Sequence, residues 1–85
     1  MIVLEELSGV RVYKFVVVDT ETGQWTFPYE SPIIAISQFM KGICRSSTWD
    51  DMDPPLNSYD ITSLNFISIQ AAKASLYHKY PELLL

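Results

Sequence analysis

The sequence predicts a small α+β domain, a mainly antiparallel sheet of three or four strands with two helices on one face, in the order (β)ββαβα. Three observations lead to this fold class. A valine-rich run ends in turn residues, two serines precede helical apolar patterns, and 85 residues are too few for more than one hydrophobic core. We therefore expect residues 1–85 to form a single domain.

The first part of the chain predicts strands. Residues 2–7 are apolar around Glu5 and Glu6, so we expect a short edge strand or a ragged first turn there. Residues 10–17 place apolar side chains on both sides of an alternating pattern, which is typical of a central strand covered on both faces. The successive valines 16–18 are β-branched and favour a strand over a helix.

A hairpin turn follows this strand at residues 19–23, Asp-Thr-Glu-Thr-Gly. An aspartate side chain accepts hydrogen bonds from backbone amides two residues on, and glycine supplies a positive φ. The next strand, residues 24–27, places Trp25 and Phe27 on one face, and Pro28 ends it. The two strands therefore predict a β-hairpin.

The first helix begins at Ser31 and Pro32, which are favoured residues for the N-cap and the first helical position. Gly42 weakens its last turn, so we expect the helix to close by Cys44 or Arg45. Apolar residues at three- and four-residue spacing predict a core-facing stripe. They are Ile33, Ile36, Phe39, Met40 and Ile43.

Residues 61–67 predict a further strand, and Ser68 is a second N-cap. The helix that it opens runs from Ile69 to Tyr80 and is ended by Pro81. Its apolar face consists of Ile69, Ala72, Leu76 and Tyr80.

Between the first helix and this strand, residues 46–60 predict one long irregular loop, since Pro54 and Pro55 are incompatible with a helix or a central strand. The loop combines large apolar side chains with acids. Trp49 either covers the core or contacts a partner protein; aromatic and methionine anchors ringed by carboxylates are typical of binding hot spots. The hairpin residues Trp25, Phe27 and Tyr29 form a second candidate patch. The partner-binding residues predicted in these two regions are Trp49, Asp50, Asp51, Met52, Asp53, Tyr59, Trp25 and Phe27.

The charge balance argues against direct contact with nucleic acid. Six Lys and Arg against ten Asp and Glu give a net charge of −4, and the cations are spread along the chain. Phosphate binding needs a basic patch, which this sequence lacks. Hydrophobic residues make up 48% of the chain, which favours a folded domain over a disordered one.

Metal and cofactor motifs are missing from the sequence. The single cysteine, Cys44, can form neither an internal disulfide nor a zinc site alone, which fits a reducing compartment. The acids Asp50, Asp51 and Asp53 lack EF-hand spacing, and the three glycines are too far apart for a phosphate loop. We expect no metal and no cofactor.

The first residues include Glu5 and Glu6 without a basic region, so we expect no secretory signal. No apolar run approaches the ~20 residues that a membrane helix needs. We therefore expect a cytoplasmic protein without a membrane contact.

One stretch has a second interpretation. Val-Val-Asp-Thr-Glu-Thr-Gly, ending at Gly23, resembles the first motif of the DEDD family of 3′–5′ exonucleases, in which Asp-x-Glu follows a strand. The resemblance implies that Asp19 and Glu21 hold catalytic metal ions for phosphodiester hydrolysis. Because the same residues are ordinary hairpin-turn residues, we adopt the turn as the main interpretation and keep the nuclease fragment as an alternative. Residues similar to the second and third motifs are Asn57 to Asp60, His78 and Glu82.

The function that these observations favour is a small non-enzymatic protein-binding module. Its acidic loop with aromatic anchors suits a partner with a basic groove, such as a nucleic-acid-handling or defence complex that it would inhibit. In size and style the chain resembles phage and mobile-element accessory proteins, including anti-CRISPR inhibitors. The alternative is a structural protein that self-associates through Leu83, Leu84 and Leu85 or through an exposed strand edge.

Overall fold

A single antiparallel sheet organises the chain. The computed structural model describes residues 1–9, 12–46 and 55–84. Its sheet has four strands in the order β3-β2-β1-β4, and two helices and a short 3₁₀ helix accompany it, so the predicted α+β fold class is confirmed. The elements are β1 (Ile2–Leu7), β2 (Phe15–Asp19), β3 (Gln24–Trp25), α1 (Pro32–Met40), β4 (Pro55–Asp60), α2 (Ile69–Lys79) and the 3₁₀ helix (Pro81–Leu84).

Strand β1 lies inside the sheet, so its prediction as an edge strand or a ragged turn was wrong. It pairs with β2 on one side and with β4 on the other. Leu4 and Leu7 are buried in the two core clusters on opposite faces of the sheet, as in a central strand covered on both faces. Glu6 is compatible with that position because it lies near the end of the strand, where Asn57 and Lys14 bind its carboxylate.

The β2–β3 hairpin is confirmed, with β2 beginning at Phe15 rather than at residue 10. Asp19 Oδ1 accepts a hydrogen bond from the Glu21 amide at 3.0 Å, and Gly23 has a φ of 74°. These are the two turn features that the sequence predicts. Strand β3 ends at Trp25, earlier than predicted, because Thr26 binds β2 with its side chain as well as its backbone.

Residues 55–60 form strand β4, so the prediction of an irregular loop was wrong for this part of residues 46–60. Pro55 is tolerated because it is the first residue of an edge strand, where no ladder donor is required. The described part of the loop outside β4 is Ser46 alone.

The strand predicted at residues 61–67 is replaced by turns. Ile61 makes one last ladder bond to the Ile2 carbonyl, and the Asp60 carboxylate then accepts from the Thr62 amide at 3.0 Å. Ile61 and Leu64 are buried within these turns. Their apolar spacing therefore reflects core contacts of a turn and not a strand.

Both predicted helix starts are confirmed. The side chains of Ser31 and Ser68 accept from the amides of Ile34 and Ala71, at 3.2 Å and 3.0 Å. Helix α1 ends at Met40, before the predicted Cys44, because the chain turns away at Gly42 with a φ of 78°.

The helices cover one face of the sheet, where most of the buried apolar side chains form one core cluster. A second, smaller cluster of Leu7, Val16 and Trp25 lies on the opposite face, because Val16 points away from its neighbours Phe15 and Val17. The main cluster consists of Leu4, Phe15, Val17, Ala35, Ile36, Ile61, Leu64, Ala72 and Leu76.

Candidate functional site

A cleft of about 680 Å³ opens between the helices and the end of the sheet. Its walls are mostly polar: three glutamates, one lysine and two tyrosines are among its lining residues. We call it the acidic cleft. The side chains that define it are Glu6, Lys14, Glu30, Tyr59, Tyr77 and Glu82.

The strand register brings the floor of the acidic cleft together. Glu6 of β1 lies directly opposite Phe15 of β2 and Asn57 of β4, so the three side chains share one face of the sheet. Tyr59 follows Asn57 by two residues and lies on the same face.

Glu30 reaches the rim because the segment before α1 is fixed to β2. Phe15 and Tyr29 exchange two backbone hydrogen bonds of 2.9 Å. Ser31 then caps α1, so Glu30 lies between an anchored residue and the first turn of a helix. The sequence predicted the cap but not the position of the glutamate beside it.

The opposite wall comes from the C-terminal elements. Tyr77 projects from α2, and the chain then turns at Tyr80, whose amide donates to the Leu76 carbonyl at 2.8 Å. Leu83 packs against the main core, which holds the 3₁₀ helix in place. Glu82 is therefore carried to the edge of the acidic cleft.

Negative charge predominates within the acidic cleft. Lys14 Nζ lies 3.6 Å from Glu6 Oε2, and Asn57 Nδ2 donates to Glu6 Oε1 at 3.0 Å. In the described part of the chain, Glu30 and Glu82 form no ion pair. Among the described residues that line the cleft, three glutamates and one lysine leave two negative charges in excess.

The negative charge of the acidic cleft affects the ionisation of the Tyr59 hydroxyl. Burial raises the pKa of its hydroxyl above the usual 10.0, and the negative charges of Glu6 and Glu82 raise it further. A phenolate is disfavoured near carboxylates, whereas a cation is favoured there. The arrangement can therefore attract an ammonium or guanidinium group and offer it an aromatic ring.

The hairpin patch that the sequence predicts is mostly covered. Trp25 is only 7% exposed, whereas Phe27 is 45% exposed. The Arg45 guanidinium lies 4.8 Å from the centre of the Trp25 ring and 5.3 Å from that of Phe27. Phe27 and the stacked arginine therefore provide the accessible part of this patch.

The predicted loop residues Trp49, Asp50, Asp51, Met52 and Asp53 lie outside the described residues, and their role stays a prediction. Tyr59, assigned to the same loop by the sequence, belongs instead to strand β4 and lines the acidic cleft.

The described leucines of the tail proposed for self-association differ in their exposure. Leu83 packs against the core, whereas Leu84 is 64% exposed. Leu85 lies outside the described residues. Self-association through this tail therefore stays a prediction that would depend on Leu84 within the described part of the chain.

The residues of the exonuclease resemblance do not share one face of the sheet. Asp19 pairs with Ile2 and Asp60 with Val3, and successive residues of β1 point to opposite faces. Glu21 lies in the hairpin turn and pairs with the amino group of Met1 at 3.8 Å. Among the described residues, no three His, Cys, Asp or Glu side chains are arranged to hold a metal ion.

No protein family, curated protein or solved structure matches this chain. Within the described ranges, none of the helices has the length and apolar character required to cross a membrane.

Most residues of the acidic cleft were missed by the sequence analysis. Glu6, Lys14, Glu30 and Glu82 are far apart along the chain, and no local motif links them. Only the pairing of β1 with both β2 and β4 brings Glu6 and Asn57 together, and β4 was not predicted. Tyr59 was predicted for its aromatic side chain alone.

Proposed function

We propose that this chain is a non-enzymatic protein-binding module that receives a lysine or arginine side chain of its partner in the acidic cleft. The observation that supports the proposal most is that Glu6, Glu30 and Glu82 line one cleft together with Tyr59 and Tyr77. Of the cations in the described residues, Lys14 alone lines this cleft, and it is already paired with Glu6.

The electrostatics favour a cationic side chain over other ligands. Exposed carboxylates attract a nearby cation only weakly, by about 0.2–1 kcal/mol per pair. Glu30 and Glu82, which form no ion pair among the described residues, line the same cleft as two tyrosine rings, so their contributions combine on a cation that binds there. We therefore expect weak binding of a single basic residue and stronger binding of a partner that presents it in a fixed position.

The polar lining favours a protein segment over a small apolar ligand. Pockets for small molecules are lined mainly by apolar side chains, with few polar groups. In the acidic cleft, polar and charged groups predominate among the residues that line it. A protein segment that carries a charged side chain among polar neighbours therefore matches the lining of the acidic cleft.

We extend the proposal to the kind of partner. A protein whose basic groove binds nucleic acid presents lysines and arginines on its surface, and an acidic module would compete for them. The net charge of −4 and the small size of the chain support an inhibitor of such a complex, acting in the cytoplasm. The predicted loop residues, Trp49 to Asp53, would add a second contact.

A titration with capped Gly-Lys-Gly and Gly-Arg-Gly peptides, followed by ¹H–¹⁵N NMR, tests the basic specificity. Shifts should concentrate at Glu30, Tyr59, Tyr77 and Glu82, and capped Gly-Glu-Gly should cause none. Raising the salt to about 1 M, where the Debye length is ~3 Å, should remove them.

The matched variants separate the acidic cleft from general surface charge. Glu30→Gln combined with Glu82→Gln should abolish the shifts. Glu21→Gln removes the same kind of charge from the exposed hairpin turn and should leave them unchanged. Equal shifts in the double variant and the wild type would contradict the proposal.

A further inference from the structure

In the part of the chain that the structure describes, no strand pairs with the outer edge of β4, and one backbone position at the centre of this edge is free. In an antiparallel pair, residues that exchange hydrogen bonds alternate with residues that do not. The bond from the Ile61 amide to the Ile2 carbonyl sets the phase, so Tyr59 and Asn57 point their backbone groups toward β1. Ser58, between them, points its N–H and C=O away from the sheet.

The edge is closed at one end. The Asp60 carbonyl, which also points outward, accepts from Tyr80 Oη at 2.8 Å and from Lys79 Nζ at 3.2 Å. An added strand therefore cannot bond to that carbonyl without displacing two side chains of α2 and its cap. Among the described residues of β4, free pairing is therefore limited to the part around Ser58. An edge this short does not support extended edge-to-edge aggregation.

This free edge borders the acidic cleft. Asn57 and Tyr59 line the cleft on the helix face of β4, whereas Ser58 points to the opposite face. Neighbouring strands lie about 4.8 Å apart, and side chains alternate between faces along each of them. In a strand added at Ser58, the residues flanking its partner residue would therefore stand beside Asn57 or Tyr59.

A second copy of β4 is a poor occupant of this edge. Its sequence, Pro-Leu-Asn-Ser-Tyr-Asp, contains no lysine or arginine. A two-fold pair would also bring two acidic clefts close to each other, and their like charges would repel. A partner strand with a basic residue has the complementary charge.

We infer that the partner binds as an extended segment that adds to β4 at Ser58 and directs a lysine or arginine from an adjacent position into the acidic cleft. This inference rests on the proposed function and adds its binding mode. Main-chain hydrogen bonds then give affinity, and the basic side chain gives specificity.

The test uses the capped heptapeptide Thr-Val-Thr-Lys-Thr-Val-Thr, a copy with Glu in place of Lys, and a copy of the lysine peptide with N-methyl groups on alternate residues. Binding is measured by ¹H–¹⁵N NMR, with hydrogen exchange at the Ser58 amide as a second readout. The lysine peptide should shift the amides of β4 and slow exchange at Ser58. The other two peptides should bind about tenfold more weakly or not at all.

Two variants test the same contact from the protein side. Ser58→Pro removes the outward N–H and leaves the inward bonds of Asn57 and Tyr59 in place, so it should weaken the lysine peptide about tenfold. Ser58→Ala keeps the N–H and should bind as the wild type does. If Ser58→Pro fails to fold, the N-methylated peptide supplies the same comparison with unchanged protein.

The outcomes separate the two proposals. Unchanged binding of the lysine peptide by folded Ser58→Pro, or of the N-methylated peptide by the wild type, would overturn strand addition. If the double glutamine variant at Glu30 and Glu82 still lost binding, the proposed function would stand. No binding of the lysine heptapeptide at millimolar concentration would overturn strand addition, and if the capped lysine and arginine tripeptides also caused no shifts, or the glutamate heptapeptide bound equally well, the proposed function would fail with it.

Discussion

Lys14 Nζ lies 3.6 Å from Glu6 Oε2 in the acidic cleft, on a carboxylate whose other oxygen accepts from Asn57. Glu6 is thus held from both sides, and its side chain is only 15% exposed. The pair partly neutralises the floor of the cleft. Lys14 therefore competes with any basic side chain that a partner would insert.

Replacing Lys14 should strengthen basic ligands. We expect Lys14→Gln to raise the affinity for the capped lysine tripeptide about two- to fivefold, since one exposed repulsive charge is removed. Lys41→Gln, at the exposed end of α1, removes the same charge elsewhere and should change little. Weaker binding by Lys14→Gln would show that Lys14 supports the ligand instead of competing with it.

The ionisation of Tyr59 reports the charge of the acidic cleft. Burial is the largest cause of its raised pKa, followed by Glu6 and Glu82. Glu82→Gln should therefore lower the pKa of Tyr59 toward 10.0, whereas Glu21→Gln should leave it unchanged. An NMR pH titration of Tyr59 with ¹³C at the hydroxyl-bearing ring carbon measures this change in pKa. Identical titration curves for the wild type and Glu82→Gln would show that the charge of Glu82 does not affect the ionisation of Tyr59.

Thr26 is a buried polar residue that joins β2 to the segment after β3. Its Oγ1 accepts from the Val17 amide at 3.0 Å, and its own amide donates to the Val17 carbonyl at 2.9 Å. Thr26→Val keeps the shape but leaves the Val17 N–H without its acceptor, which should cost about 1–3 kcal/mol of unfolding free energy.

The matched variant Thr26→Ser keeps the hydroxyl and loses one methyl group, which should cost about 1 kcal/mol. Urea unfolding measures both free energies. If Thr26→Ser were more destabilising than Thr26→Val, packing and not the hydrogen bond would be the main contribution of Thr26.

Asp60 should give the fold a contribution to stability that disappears in acid. The Thr62 amide, which donates to Asp60 Oδ1 at 3.0 Å, is the largest cause that lowers the pKa of this carboxyl below 3.8. Because the folded pKa is lower than the unfolded one, the contribution is present above 3.8 and is lost as pH falls through the folded value.

Asp60→Asn isolates this effect, since the amide oxygen still accepts from Thr62 but does not titrate. The wild type should have the higher melting temperature at neutral pH, and its advantage should shrink as the pH falls below 3.8. Melting curves of the two proteins over this range check the sign. A constant difference across the range would contradict the linkage.

Local rules predicted those parts of the fold that have local causes. Ser31 and Ser68 cap helices in the structure because the N-cap hydrogen bond spans only three residues. The Asp19–Gly23 turn follows from an Asx bond and one positive φ. Each of these features depends on neighbours in sequence.

The errors concern elements whose state depends on distant partners. Strand β1 is interior only because β2 and β4 both pair with it, and β4 begins with a proline that is acceptable at an edge. Ile61 and Leu64 are apolar because they enter the core from turns. The acidic cleft could not be predicted for the same reason, since its glutamates meet only through this pairing and the position of the 3₁₀ helix.

Photo-cross-linking from the position of Tyr77 tests the central claim most directly. Tyr77 is replaced by p-benzoylphenylalanine, the tagged protein is irradiated in the cells that make it, and the cross-linked peptide is identified by mass spectrometry. The same replacement at Thr22, in the exposed hairpin turn, is the control. We predict a partner cross-linked from Tyr77 beside a lysine or arginine, absent from Thr22 and lost when Glu30 and Glu82 are changed to Gln. A partner captured equally well with those glutamates removed would contradict recognition through the acidic cleft.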